Sequence, residues 1–387
     1  MTPEQEFRPL YLDAVNRNGE SLTGVEFTIS TDAGEIVGSV VKQYMGFIRQ
    51  FVSPPTATVS ITAKFNNVEL PPVKLTPSRS DWTFKFSSVA PLSVLIVCAL
   101  PLETQAVLKT FDAVDDKRIS GGPGDPNSYR TGCYRSIDGF ERRVLLATSG
   151  MGNSNAAILA IHALRSFHKE LKHVIMVGIA GGCPSPKNPS EHVRLGDVVV
   201  ADERGIIQYD FVKRTIAGDE NRAHPQKPDR RLVNAVHELE VDDANSSSSW
   251  KALIKNVAQK DAVFKRPSAR SDVLYEGRLK IPHPPQSNRR AGEPLVHRGA
   301  IGSANILLKD PSSRDRIRDK WNVRAIEMEG SGVQDAAWSM EQDIMVVRGV
   351  CDYCDSHKND TWQRYAALAA ASYTRGLLES LPETFFS

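Results

Sequence analysis

The sequence predicts an α/β protein: a doubly wound mixed sheet flanked by helices, preceded by a small all-β sandwich. Three observations carry this expectation. Up to about residue 89, short runs alternate apolar and polar residues between turn signals. From residue 93, continuous apolar runs of the kind a strand buried on both faces requires alternate with amphipathic helical stretches. Carboxylates stand just beyond three of those runs, at Glu103, Glu329 and Asp352. The expected units are 1–90 and 91–387, and the second carries a long insertion at about 212–296.

In the first unit the runs at 11–15, 25–29, 58–62 and 82–86 are rich in β-branched and aromatic residues with period two. Asn18-Gly19, Asp32-Ala33-Gly34, Asn66-Asn67 and Pro71-Pro72 separate them. Several short strands at this spacing mean a small sandwich. No catalytic constellation lies here, so the unit is expected to be a binding or assembly module, and any protein partner is expected on it.

The second unit opens with the buried strand 93–100, SVLIVCAL, and a helix at about 104–111 introduced by Pro101. A Gly/Pro-rich loop at 121–126 follows, then a strand pair at 129–136 and 143–149 and the turn Gly150-Met151-Gly152. An Ala-rich amphipathic helix is expected at 153–171. The strand at 173–179 ends in Gly178-Ile179-Ala180-Gly181-Gly182, whose small residues allow close backbone approach to a ligand. Another strand is expected at 198–201. The insertion is rich in Arg, Pro, Ser and Asn; it is expected to hold helices at 231–239 and 250–259 and otherwise to be a lid or disordered.

The stretch 323–355 organises the chain. An apolar segment ends in Glu327-Met328-Glu329, a helix follows at 333–340, and the strand 344–350 stops at Cys351-Asp352. Open α/β sheets put ligands at the carboxyl ends of their strands, so Glu329 and Asp352 are expected to face one crevice. A last Ala-rich helix at 361–381 covers the sheet.

Bulk properties exclude several classes. The chain has 387 residues, of which 41% are hydrophobic and 24% charged, and a formal net charge of +2. That length suits two domains, and that charge gives no field favouring nucleic acid. The apolar runs are too short to span a bilayer, and MTPEQEFRPL has no basic stretch followed by an apolar one, so no secretory signal is expected. Five cysteines, mostly in apolar segments, point to reduced thiols and a cytoplasmic location. Nine histidines show no metal-ligand spacing, so no metal or cofactor is expected. Cys351-x-x-Cys354 lacks the second pair a zinc site needs. Gly150-x-Gly152 is not a dinucleotide fingerprint, because Asn155 stands at the third glycine position.

Three carboxylates at three strand ends fit acid–base work: one to deprotonate water, one to hold ribose hydroxyls, one to protonate a leaving group. The plainer alternative is that each caps a helix or pairs with Arg348.

From about residue 94 to 381 the chain resembles the nucleoside phosphorylase/nucleosidase superfamily. The matching segments are VLIVCALPLE (94–103), SGMGNSNAA (149–157), VGIAGG (177–182), VRLGDVVVAD (193–202), AIEMEG (325–330) and VVRGVCDYCDSHKND (346–360). The last segment, with FKRPSARSDVLYE (264–276), resembles the nucleosidase-like domain fused to fungal NACHT- and ankyrin-type immune receptors and found among bacterial antiphage effectors. The resemblance implies that Glu103 activates water, and that phosphorylases, lacking this acid, place a phosphate nearby. It also implies that Met328 and Glu329 hold the sugar, that Asp352 protonates purine N7 and that Arg348 lies near the water. Ile179, Ala180 and Gly181 fall beside the nucleophile, and Asn305 and Ile306 where adenine is clasped. Family members form dimers or larger assemblies, so a homo-oligomer is expected.

The expected reaction is hydrolysis of the N-glycosidic bond of a purine nucleotide, ATP or dATP, releasing adenine in an immune or antiphage setting. Lys187, Arg194 and Arg214 are the expected phosphate ligands. Three alternatives stand: a methylthioadenosine/S-adenosylhomocysteine nucleosidase, a purine nucleoside phosphorylase, and a catalytically idle nucleotide sensor.

Overall fold

A computed structural model describes residues 8–15, 20–52, 58–65, 68–70, 72–75, 81–85, 92–136, 141–222, 224–244 and 248–381. The turns at Asn18-Gly19 and Asn66-Asn67, with Pro71, Phe86, the junction at 88–91 and the serine run at 245–247, lie outside the described residues. The chain divides into two compact units, Met1–Val89 and Ala90–Ser387.

The first unit contains two sheets. Strand Arg8–Val15 lies between Ile48–Val52 and Asp81–Lys85 in one. In the other, Val25–Thr31 lies between Ile36–Lys42 and Val59–Phe65. Leu10, Leu12, Phe27, Ile29, Ile61 and Phe84 are buried, and Phe27 meets Phe84 edge-on at 5.4 Å. Asp13 and Lys42 form a buried ion pair, with the Ser21 hydroxyl hydrogen-bonded to both. Period-two alternation thus buries one face of each sheet against the other. Ile36, Val41, Tyr44, Met45, Phe47 and Phe51 are half or more exposed.

In the second unit the main elements are β1 (Leu92–Cys98), α1 (Pro101–Thr110), β2 (Ser128–Arg135), β3 (Glu141–Thr148), α2 (Asn153–Ser166), β4 (His173–Gly182) and β5 (Val198–Gln208). They continue with α3 (Arg230–Ala244), α4 (Ser249–Lys260), β6 (Val296–Ser303), α5 (Pro311–Trp321), β7 (Val323–Glu327), α6 (Gly330–Ser339), β8 (Asp343–Asp352) and α7 (Gln363–Ser380). The strands run in the order β2-β3-β1-β4-β7-β6-β5-β8, and β8 also pairs with β4. Five strands of the mixed sheet therefore close on themselves, which the sequence does not announce. Closure needs long strands that bend, and the register shifts at Ala180/Gly181, between Ala201 and Ile206, and at Ala300/Ile301 supply the bends. β5 runs on to Gln208, well past residue 201, because its polar Asp202–Arg204 segment falls in one of these irregular stretches.

β1, β4 and β8 are mutually parallel, so their carboxyl ends share one edge. β7 runs antiparallel to β4 and meets it only at Gly181 and Gly182. Because Gly181 faces Ile326, the end of β7 at Glu327 arrives at the same edge.

The insertion is neither lid nor disorder over its helical part. Leu232, Val236, Trp250 and Ile254 of α3 and α4 enter the main core, and Trp250 meets Tyr373 of α7 edge-on at 5.3 Å. Polar staples hold the rest. Arg289 and His297 lie 2.6 and 3.0 Å from the fully buried Asp197, and Arg194 lies 2.8 Å from Asp272. Burial opposes the Asp197 charge, but these two partners hold its carboxyl well below the usual range. No helix among the described residues is long and apolar enough to cross a membrane.

Candidate active site

Glu103 sits in the first turn of α1 and is 2% exposed. Its Oε2 accepts the N–H groups of Ala99 and Leu100, both at 2.8 Å, so it caps the helix; its Oε1 accepts the N–H of Ile179 at 2.7 Å. Helix cap and cavity acid are one side chain. Burial pushes its carboxyl up, while Arg348 and the three backbone donors oppose that.

The acidic end of β7 is built on two helix N-termini. Glu327, 4% exposed, accepts the N–H groups of Glu329 and Gly330 at the start of α6. Glu329 accepts the N–H of Gly152, just before α2, at 3.1 Å. Gly150 and Gly152 have φ of 81° and 100°, so this turn requires glycine. Helix N-termini favour the negative charge gathered there.

Arg348, wholly buried on β8, hydrogen-bonds Glu327 and lies 3.6 Å from Glu329. Glu103, Glu327 and Glu329 all act on this one guanidinium. If all three ionise, the cluster holds two surplus negative charges in a low-dielectric place. Burial first, and Glu327 next, push the Glu329 carboxyl up to about 7, against Arg348 and the Gly152 N–H.

This has a testable sign. The ordinary value is 4.5, so the fold favours protonated Glu329. The stability this contributes is full below about pH 4.5 and is lost as pH rises through 7. Glu329→Gln keeps the shape without the charge. It is expected to raise Tm by several degrees at pH 8, since about 1 kcal/mol moves Tm by roughly 2–4 °C in units of this size. At pH 4.5 the difference should vanish. Melting curves at both pH values check this; an equal shift at both would remove the charge explanation.

Asp352 ends β8. Its Oδ1 accepts the Cys354 N–H at 2.8 Å, and Lys358 lies 2.9 Å from Oδ2. A Cβ on Gly181 would lie 2.9 Å from Asp352 Oδ1 and 2.1 Å from Cys354 Sγ, so only glycine allows this approach. The five cysteines are free and buried, and burial pushes the Cys351 and Cys354 thiols far up, away from thiolate chemistry.

These groups meet in a cavity of about 320 Å³. Of the residues singled out from the sequence, Glu103, Ile179, Ala180, Gly181, Ile306, Met328, Glu329 and Asp352 line it, and Arg348 lies behind its acidic wall. Asn305 does not. Its side-chain oxygen accepts the Asn153 N–H at 2.9 Å, at the start of α2, and its own N–H goes to Asp210. The expected phosphate ligands are elsewhere too. Lys187 is exposed in a loop, Arg194 is committed to Asp272, and Arg214 is an exposed hairpin residue beside Asp219. The basic residues that line the cavity are Lys309 and Lys358, with Asp360 as a further acid. Glu327 is the last residue of β7, two before the α6 N-cap Glu329, and carries no separate signal in the sequence; Lys358 sits in an irregular loop with no periodic signal.

The sequence profile of the Phosphorylase superfamily matches residues 93–379. The chain belongs to the phosphorylase superfamily. It is 31% identical over 320 residues to a nucleotide-binding leucine-rich repeat (NLR)-like protein of Hyaloscypha variabilis, covering 78% of this chain and 31% of that one. It is 26% identical over 302 residues to the ATP nucleosidase Cap17 of Escherichia coli, covering 78% of this chain and 54% of that one. The chain thus spans about a third to a half of these superfamily relatives. It is 24% identical over 240 residues to a Mycobacterium bovis 5'-methylthioadenosine/S-adenosylhomocysteine nucleosidase, covering 62% of this chain and 81% of that one. In fold it resembles the Neisseria meningitidis enzyme of that name solved with methylthio-immucillin-A, with a TM-score of 0.51 and 22% identity, covering 75% of this chain and 99% of that one.

Proposed function

We propose that the second unit hydrolyses the N-glycosidic bond of an adenine nucleotide, ATP or dATP, releasing adenine. The supporting observation is a single cavity lined by Glu103, Glu327, Glu329 and Asp352 with Arg348 behind it. Breaking the bond makes an oxocarbenium-like sugar, and surplus buried negative charge complements the positive charge that develops. Glu103 is placed to take a proton from water, and Glu329 to accept charge-assisted hydrogen bonds from ribose hydroxyls beside Met328. Asp352 in this reading protonates the departing base. A catalytically idle sensor would have no need of three carboxylates on one guanidinium, an arrangement that costs stability.

The nucleotide assignment rests on the likeness to Cap17, with Lys309 as the phosphate-side cation. A second reading, methylthioadenosine, is favoured by the apolar mouth formed by Met151, Ile306, Leu307 and Leu308. Chromatographic measurement of adenine release from ATP, dATP, AMP, adenosine and methylthioadenosine decides between them. ATP or dATP is expected to give the highest kcat/KM, and Lys309→Met to raise KM for ATP more than for adenosine. A preference for methylthioadenosine of more than about tenfold would reject the nucleotide reading. We further assign the NLR-like likeness to an immune-effector role, and the exposed apolar stretch of the first unit to contact with a partner or a second copy.

Gly178→Ala provides a geometric check. A Cβ there would sit 2.2 Å from Arg348 Nη1 and 2.5 Å from Glu103 Oε1; three backbone N–H groups hold Glu103, and Glu327 holds Arg348. One of them must move, and displacements near 1 Å cost up to about 100-fold. The expected result is a folded protein with kcat lowered at least about tenfold; unchanged kcat would show that the alignment of these two groups is unimportant.

A further inference from the structure

A second cavity of about 250 Å³ adjoins the substrate cavity at Asp352. The two share Cys351, Asp352 and Lys358. Asp352 accepts hydrogen bonds on both oxygens: from the Cys354 N–H on Oδ1, and from Lys358 at 2.9 Å and the Cys351 thiol at 3.2 Å on Oδ2. This is an ammonium–carboxylate pair. It orients Asp352 but leaves open where the proton for a departing base comes from.

The neighbours narrow the sources. The thiols of Cys351 and Cys354 are buried and keep their protons. The Tyr353 hydroxyl donates to Asp272 at 2.6 Å, away from Asp352. Lys358 remains, with three protons, one of them directed at Asp352.

We propose that Lys358 supplies the proton that Asp352 passes to the leaving purine, and that the second cavity is the path by which Lys358 is reprotonated. The proposal rests on the nucleosidase reading above. As the C1′–N9 bond breaks, its electron pair stays with the base. One proton leaves Lys358 Nζ, one arrives on the base nitrogen, and Asp352 ends as the carboxylate it began as. Lys358, now a neutral amine, takes a proton from water in the second cavity. The attacking water gives a proton to Glu103 as its oxygen bonds C1′, and Glu103 then returns that proton to solvent, which balances the one Lys358 takes up.

The second cavity has polar walls suited to this. Asp355, His357, Asn359 and Tyr275 line it; His357 is 42% exposed, stacks on Tyr275 at 3.6 Å and lies 3.8 Å from Asp355. Asp360 of the same loop faces the first cavity, across which stand Lys309, Glu103, Glu327 and Glu329. Burial works against the Lys358 charge, but Asp352 outweighs it and holds the ammonium above its ordinary range, so the proton rests on Lys358 until the base demands it. Lys358 is therefore a positioning and proton-supplying residue acting through Asp352.

The test compares wild type, Lys358→Gln and Lys358→Arg on adenosine and on 4-nitrophenyl riboside across pH 5–9. Neither substrate carries phosphate, so the phosphate-side cation Lys309 plays no part. The nitrophenolate leaves without a proton. Lys358→Gln should lose about 10²-fold on adenosine at pH 8 and less than about fivefold on the nitrophenyl substrate. Its adenosine rate should rise as pH falls, because Asp352 must then draw its proton from solvent, whereas wild type stays flat there. Lys358→Arg keeps the charge but yields no proton, so it should be as slow as Lys358→Gln on adenosine at pH 8. Equal losses on both substrates, a Lys358→Gln profile parallel to wild type, or a fully active Lys358→Arg each overturn the proposal. If Lys358→Gln fails to fold, Lys358→Arg alone decides. A wild-type protein that releases no adenine from ATP, dATP or adenosine and no nitrophenolate from the riboside rejects the nucleosidase reading itself, and this proposal with it.

Discussion

Glu103→Gln is expected to lower base release by about 10²–10⁴-fold, the usual worth of a general base, with nucleotide binding little changed. The structure shows why binding and folding should survive. One amide oxygen can still cap α1 through Ala99 and Leu100. The amide nitrogen then faces the Ile179 N–H, donor against donor, which loses one hydrogen bond worth about 1 kcal/mol. Removing one acid from a cluster of three carboxylates around a single guanidinium offsets that loss. Tm within a few degrees of wild type, ligand affinity by calorimetry and single-turnover adenine release together check this. Turnover at the wild-type rate would mean that another group activates water.

Asp352→Asn is expected to cost a comparable factor on adenine substrates, about 10²–10⁴-fold, because an amide cannot relay a proton. The loss should be far smaller on 4-nitrophenyl riboside, which needs no leaving-group protonation. Stability should fall as well, since Lys358, 2.9 Å away, loses its counter-charge. Removing one partner of a buried pair typically costs several kcal/mol. The ratio of the two kcat/KM values is therefore the relevant readout, because partial unfolding lowers both alike. Equal losses on both substrates would make Asp352 a structural partner of Lys358 and no more.

The sequence makes the parallel core legible because β1, β4 and β8 are buried on both faces and read as long apolar runs, interrupted in β8 by Arg348. Helices α3 and α4 are legible for the complementary reason: each carries an apolar stripe, and those stripes are what fix the insertion to the core. What fails is where local and tertiary rules part. α5 is so charged that periodicity is silent, although Asp310 and Pro311 mark its start, and the Asp310 side chain does cap it. β6 begins Val296-His297-Arg298-Gly299, too polar to read as a core strand, because it is one stave of the closed ring.

In the site, legibility follows the strands. Glu103, Glu329 and Asp352 are read from strand ends and lie where strand ends put them. Asn305, Lys187 and Arg194 come from loops and Arg214 from a small surface hairpin, where side-chain direction depends on partners the sequence does not reveal. Asp272, which claims Arg194, is 78 residues away. Lys358 is the converse case, a loop residue reaching the cavity from a turn whose Cys354 takes a φ of +52°.

The central claim is that water attacks the sugar, and the direct measurement is a reaction run in ¹⁸O-water without and then with inorganic phosphate, with the sugar product analysed by mass spectrometry. The expected result is one ¹⁸O atom at C1 of the ribose product and the same rate in both buffers, as a base at Glu103 requires. Ribose 1-phosphate without label, or a rate that depends on phosphate, would make the enzyme a phosphorylase and contradict the role given to Glu103.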